Sequence, residues 1–201
     1  MNKQASNFLS RDPHIARLIA KYGDVSLLPK NLPTFQSLAI SVIHQQLSGK
    51  ASSTILNRFR NLYPKKKFPS PDDVLNTSSE ILRGVGLSKA KGLYLKEIAF
   101  RIKNRKLPTL NDCKKMKDDQ IVRQLTEIKG VGKWTAEMFL IFNLGREDVF
   151  PTNDVGMRNG FEFEFDEKKS LNAEQFSSIA KKWSPYRSYV ALLLWKVADQ
   201  L

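Results

Sequence analysis

The sequence holds one cysteine, Cys113, in 201 residues. A lone thiol cannot form an intramolecular disulfide, which fits a reducing compartment, and it excludes a four-cysteine iron–sulfur cluster within the chain. The two histidines, His14 and His44, are too few for a histidine-rich transition-metal site. No apolar run reaches about 18 residues, so no membrane span is expected. Met1 to Arg11 is polar and lacks the apolar core of a signal segment. Acidic side chains are the scarcer charge, 20 against 33 basic ones, for a net +13. That imbalance suggests a polyanionic partner, although charge alone does not separate DNA from RNA or an anionic membrane. Low-complexity tracts and tandem repeats are absent as well.

What is present is helical. Hydrophobic residues make up 41% of the chain, an ordinary share for a soluble globular protein. The length suffices for one generous core or two small lobes. Residues 1–11 read as a flexible lead. Asp12-Pro13 opens a helix, aspartate as cap and proline in the first turn. Thr34 opens a largely apolar helix ending in His44-Gln45-Gln46-Leu47-Ser48-Gly49-Lys50. Ser70-Pro71, Ser78-Ser79-Glu80 and Gly86-Leu87-Ser88 mark three further helix starts. Phe161 to Asp166 alternates like a strand but has no partner strand, so it is assigned to a helix end and an irregular segment. The total is about ten helices and no convincing sheet.

The chain is organised around Leu125 to Ala136, L-T-E-I-K-G-V-G-K-W-T-A. Ile121, Val122, Leu125 and Ile128 precede the turn at helical spacing, and an apolar helix starts after it. Gly130 and Gly132 permit positive φ and close backbone approach. The amides that open the second helix, with its positive end, suit a phosphate. Lys129 and Lys133 add charge. A plain helix–helix corner with a glycine stop would explain the glycines alone.

The whole string resembles the helix-hairpin-helix of base-excision DNA glycosylases, the HhH-GPD superfamily. Its motif ends in a catalytic aspartate roughly twenty residues on, where this chain has Asp154. Gln45 to Ala51 resembles the Q-Q-L/I-S-x-x-A segment of the 3-methyladenine DNA glycosylase II branch. Gly86 to Lys91 resembles its G-L-S-x-x-K loop, and Trp183 to Ser188 its W-x-P-W/Y-R-S signature. The likeness covers about residues 32–198.

The resemblance implies an all-α, two-lobed fold with the active-site cleft between the lobes. Residues 1–31 would form a lead and a helix on the core, and residues 32–198 the glycosylase core, with the hairpin at 125–136. Asp154 would stabilise an oxocarbenium-like sugar or help water attack it. Leu47 would wedge into the duplex where a base has been flipped out, with Gln46 beside the base pocket. Trp134, Met138 and Trp195 would line that pocket. Electron-rich rings suit cationic alkylated purines. Lys129, Gly130, Val131, Gly132, Lys133 and Thr135 would hold the DNA backbone. Main-chain carbonyls of Thr126, Ile128 and Val131 would hold a structural Na+ or K+, and no other cofactor is required. Bifunctional relatives carry a strand-cutting lysine at the position of Trp134, so a monofunctional hydrolase is implied.

The expected partner is double-stranded DNA containing a damaged base, with no membrane involved, and the expected state is an intracellular monomer. Two alternatives stand beside this reading: a glycosylase for other damaged or mismatched bases, and a non-catalytic helix-hairpin-helix DNA-binding module.

Overall fold

The structure, a computed structural model, describes residues 1–23, 25–47, 49–166 and 171–201. Among these residues there are thirteen α-helices and no strand. The chain divides into two compact units, one made of Met1–Lys30 with Leu140–Leu201, the other of Asn31–Phe139. The sequence reading sets residues 1–31 as a lead and helix on a core at 32–198 that itself holds two helical lobes.

The chain begins with α1 (Lys3–Leu9) and α2 (Pro13–Tyr22). The expectation of a flexible lead over 1–11 is corrected by α1. Asn2 caps it by accepting from the Ala5 N–H, and Ala5 and Leu9 are buried in the core of the first unit. Three apolar residues in one short polar stretch, Ala5, Phe8 and Leu9, give less than two turns of periodicity to read in advance. Asp12 caps α2, accepting from the N–H groups of His14 and Ile15.

The second unit runs through α3 (Thr34–His44), α4 (Gly49–Asn61), α5 (Pro71–Asn76), α6 (Ser79–Gly84), α7 (Lys89–Lys103), α8 (Leu110–Lys115), α9 (Asp118–Thr126) and α10 (Lys133–Met138). Local chemistry sets most of these starts: Ser70, Ser78, Ser88 and Thr109 each accept from the amide three residues on. The long α7 packs against α3, α5 and α6. It buries Leu95, Ile98 and Ala99, while Leu93 is exposed. Each fully buried leucine or isoleucine contributes about 1.5–3 kcal/mol.

After α10 the helix does not run on regularly to Asn143. It widens into a π-helical turn over Phe139–Leu144. The turn is closed by Gly145 N–H donating to Ile141 O and Arg146 N–H to Leu140 O. The first unit then resumes with α11 (Val155–Glu164), α12 (Ala173–Ala180), a 3-10 turn at Lys181–Trp183, and α13 (Arg187–Ala198). Phe161 to Glu164 is thus helical, as the missing partner strand required. Helices α11 and α13 pack closely because Gly160 has no side chain: a Cβ there would lie 2.1 Å from Leu194 O. Phe150, Phe161 and Phe176 pack edge-to-face or tilted around Trp183, whose indole N–H donates to Asp12 Oδ2 at 3.0 Å.

Candidate functional site

In the second unit the hairpin joins α9 to α10. Ile128 and Val131 are buried beneath it, and Ile128 N–H and Val131 N–H close the turn on Leu125 O and Ile128 O. Gly130 has φ +88, and an added Cβ would lie 2.2 Å from the Tyr94 ring. The ring of α7 therefore supports the turn directly, at the one residue type that leaves room for it. Gly132 is the N-cap of α10 and brings no side chain to cap it. The N–H groups of a first helical turn have no intrahelical acceptors, and glycine supplies no side chain to meet them here.

A second glycine turn of like sequence shows the contrast. Gly84-Val85-Gly86 leads into α7, and Gly86 has φ +103. Here the cap is Ser88, whose hydroxyl accepts from Lys91 N–H at 3.2 Å. The α7 turn has a side-chain cap, and the hairpin has none.

Two of the residues expected at the DNA backbone have buried side chains. Thr135 is only 3% exposed, and its hydroxyl accepts from Gln45 Nε2 at 3.2 Å, so its side chain is spent inside the protein. Val131 is equally buried, and its amide already donates to Ile128. Lys129 and Lys133 are exposed, and Lys133 Nζ lies 3.7 Å from the buried carboxylate of Glu137. Trp134 is 42% exposed, and Met138, one turn on, is half-buried on the same face of α10.

The turn after α3 also belongs to this unit. Leu47 is 39% exposed, a large apolar side chain held towards solvent. Gln46 is exposed at φ +54, a left-handed conformation costing a non-glycine residue about 1–3 kcal/mol. Ser48 lies outside the described residues. The glutamine that reaches the hairpin is Gln45, whose Nε2 donates to Gly130 O at 3.0 Å. The sequence reading assigns Gln46 to the side of the base pocket and gives Gln45 no role. The doubled glutamine signals a site but not which of the pair turns inward.

In the first unit, Asp154 is the N-cap of α11. Its Oδ1 accepts from Met157 N–H at 2.7 Å and from Trp195 Nε1–H at 2.8 Å. Both bonds fall on one carboxylate oxygen, so the cap fixes the orientation of the group. Trp195, expected as a pocket wall, thus orients Asp154 through its N–H edge, and its ring stacks on Phe142 with centroids 5.7 Å apart.

The loop before Asp154 is fastened by side chains that sequence reasoning left unassigned. Arg187 donates through Nε and Nη2 to the two carboxylate oxygens of Asp148, at 2.7 and 2.9 Å. Ser184 Oγ donates to Asp148 as well, at 2.8 Å. Burial raises the Asp148 pKa, but the Arg187 and Ser184 hydrogen bonds outweigh it and leave the carboxyl below its usual range. Ser188 Oγ accepts from Val149 N–H and donates to Arg146 O. Arg158 Nε donates to Thr152 O at 2.8 Å. The W-S-P-Y-R-S string is therefore the clasp of the loop that ends in Asp154.

Two helices joined by a short glycine turn are the mark of the helix-hairpin-helix class. A model of the family described as "HhH-GPD superfamily base excision DNA repair protein" matches residues 39–185, and the chain belongs to that family. It is 32% identical to the DNA-3-methyladenine glycosylase 1 of Schizosaccharomyces pombe over 92% of this chain and 80% of that one. Among solved structures, it is similar to the S. pombe 3-methyladenine DNA glycosylase Mag1 in complex with abasic DNA. The TM-score is 0.88 and the identity 31%, over 96% of each chain. It is likewise similar to a DNA-3-methyladenine glycosidase of Bacillus halodurans. That match has a TM-score of 0.85 and 32% identity, over 98% of this chain and 89% of the other.

Proposed function

We propose that this protein is a monofunctional DNA glycosylase that releases alkylated purines, of the 3-methyladenine and 7-methylguanine type, from duplex DNA. The observation that carries the reading is the Asp154 carboxylate, held by Met157 N–H and Trp195 Nε1–H. A cationic alkylpurine leaves as the glycosidic bond breaks, and the bonding pair goes to the base, which departs neutral. The sugar is left oxocarbenium-like, and the nearby carboxylate stabilises it in a site where few waters compete. Water then adds to the anomeric carbon and gives up a proton, leaving an abasic site.

A base inside the duplex is out of reach, so it is flipped at a cost of about a few kcal/mol. Leu47 fills the space it leaves, beside Gln46. Trp134 and Met138 on one face of α10 take the flipped base, with cation–π attraction favouring a positively charged ring. The hairpin from Lys129 to Lys133 grips the phosphates. A Schiff base needs an amine at position 134, where tryptophan stands. Lys133 is one residue away, turned about 100° around the helix. Strand cutting is therefore not part of the reaction.

The main-chain carbonyls of Thr126, Ile128 and Val131 are hard oxygen donors in a closed turn, a donor set that fits Na+ or K+. Such an ion would add positive charge beside the DNA backbone. The partner is damaged duplex DNA, bound by a monomer inside the cell.

The test is base release from methylated duplex DNA, with nicks scored before and after alkali. Release of 3-methyladenine or 7-methylguanine with nicks only after alkali is the expected result. Nicks without alkali overturn the monofunctional assignment, and tight binding without release of any base overturns the glycosylase reading.

A further inference from the structure

Lys91, in the first turn of α7, reaches across to the end of α3. Its ammonium donates to Ile43 O at 2.9 Å and to Gln45 O at 2.7 Å. The last carbonyls of a helix lack intrahelical donors, and a cation at that end meets the negative pole of the dipole. Capping for stability would account for the Ile43 contact. The Gln45 contact is different, because the backbone leaves the helix there, at φ −50 and ψ 134.

Gln45 is thus held twice. Lys91 holds its carbonyl, and its side chain holds Gly130 O and Thr135 Oγ1 of the hairpin. A carbonyl only accepts, so the amide nitrogen must be the atom facing Gly130. The next two residues are the strained Gln46 and the half-exposed Leu47. Burial lowers the Lys91 pKa, the mark of an ammonium partly stripped of water.

We propose that Lys91 and Gln45 are positioning residues that lock the turn carrying Leu47 to the phosphate-gripping hairpin, so that DNA binding at the hairpin aims the wedge into the base stack. This rests on the glycosylase reading above, with Leu47 as the wedge. A loose turn would still let DNA bind and would leave Asp154 intact. What suffers is the flipping step, since a wedge that can retreat does not hold the gap open.

The experiment compares single-turnover base release from two duplexes, one with the alkylated base paired, one with it in an unpaired bulge. A bulged base is already poorly stacked, so little flipping work remains. Lys91→Met and Gln45→Leu should each slow release from the paired duplex about tenfold or more, and from the bulge by about twofold or less. Affinity for undamaged duplex should stay within about threefold, and Lys91→Arg should restore most of the paired-substrate rate. In a Leu47→Ala background, Lys91→Met should cost little further, because residues acting through one another are not additive. Equal slowing on both duplexes, or none on either, overturns the positioning role while the wild type remains active. A wild type that releases no base from either duplex sinks the glycosylase reading first, and the positioning role with it.

Discussion

At the hairpin the working surface is main chain. Gly130 takes a left-handed φ over the Tyr94 ring, and Gly132 begins α10 without a cap. At Asp154 the proposed working group is one side chain, and other side chains hold it. Trp195 comes from 41 residues on, and Arg187 and Ser188 pin Asp148 and Val149 from 39 residues on. Phosphates repeat along every duplex and carry no sequence information, so backbone amides and charge suffice to hold them. A reacting carboxylate has to meet one atom, which calls for locked rotamers and outside support. Binding should therefore be sensitive to backbone changes at the hairpin, and catalysis to hydrogen-bond changes around Asp154.

The sharpest separation is Asp154→Asn. Base release should fall about 10³-fold or more, while DNA affinity stays within about twofold. Near-normal turnover would remove Asp154 from the mechanism. Gly130→Ala should do the reverse. It forces a Cβ into the Tyr94 ring and an unfavourable φ, and should weaken DNA binding about 10- to 100-fold. Pairing it with Tyr94→Ala should return part of that loss, because the clash is relieved and the φ strain is not. Trp195→Phe keeps a ring and removes the donor to Asp154. Release should slow about tenfold with binding intact, and a loss of binding instead would assign Trp195 to DNA contact.

Asp148→Asn tests the clasp through pH. The folded-state pKa of Asp148 is lowered, so its contribution to stability is present above the ordinary carboxylate range and lost as pH falls through it. The Tm gap between wild type and Asp148→Asn should be about 2–5 °C at neutral pH and close below about pH 4. A gap that widens in acid contradicts the sign. Lys133→Ala should have the smallest effect. Binding should weaken about two- to fivefold for every sequence alike, with the salt slope reduced by about 0.9. A loss confined to one lesion would move Lys133 from the backbone to the pocket.

Legibility followed the range of the interaction. Helix starts at Asp12, Ser70, Ser78 and Ser88 were readable because a cap and its amide lie within three residues. The hairpin was readable because its chemistry is backbone and its glycines are adjacent. The two G-V-G strings were alike on paper and parted only at the following cap, Ser88 in one and Gly132 in the other. Residues with long-range partners were hidden. Gln45 and Lys91 meet the hairpin and α3 across 85 and 46 residues, and no local pattern marks such a meeting.

By itself, then, the chain order determined that this is an all-helical, basic protein with a glycine hairpin and an aspartate at the head of a later helix. Periodicity, capping and charge are short-range properties and survive in one dimension. Only the tertiary structure decided which glutamine turns inward, that Trp195 orients Asp154, and that the first unit is built from both ends of the chain. Those outcomes depend on hydrogen bonds and packing between distant segments, whose partners are selected by folding and not by spacing.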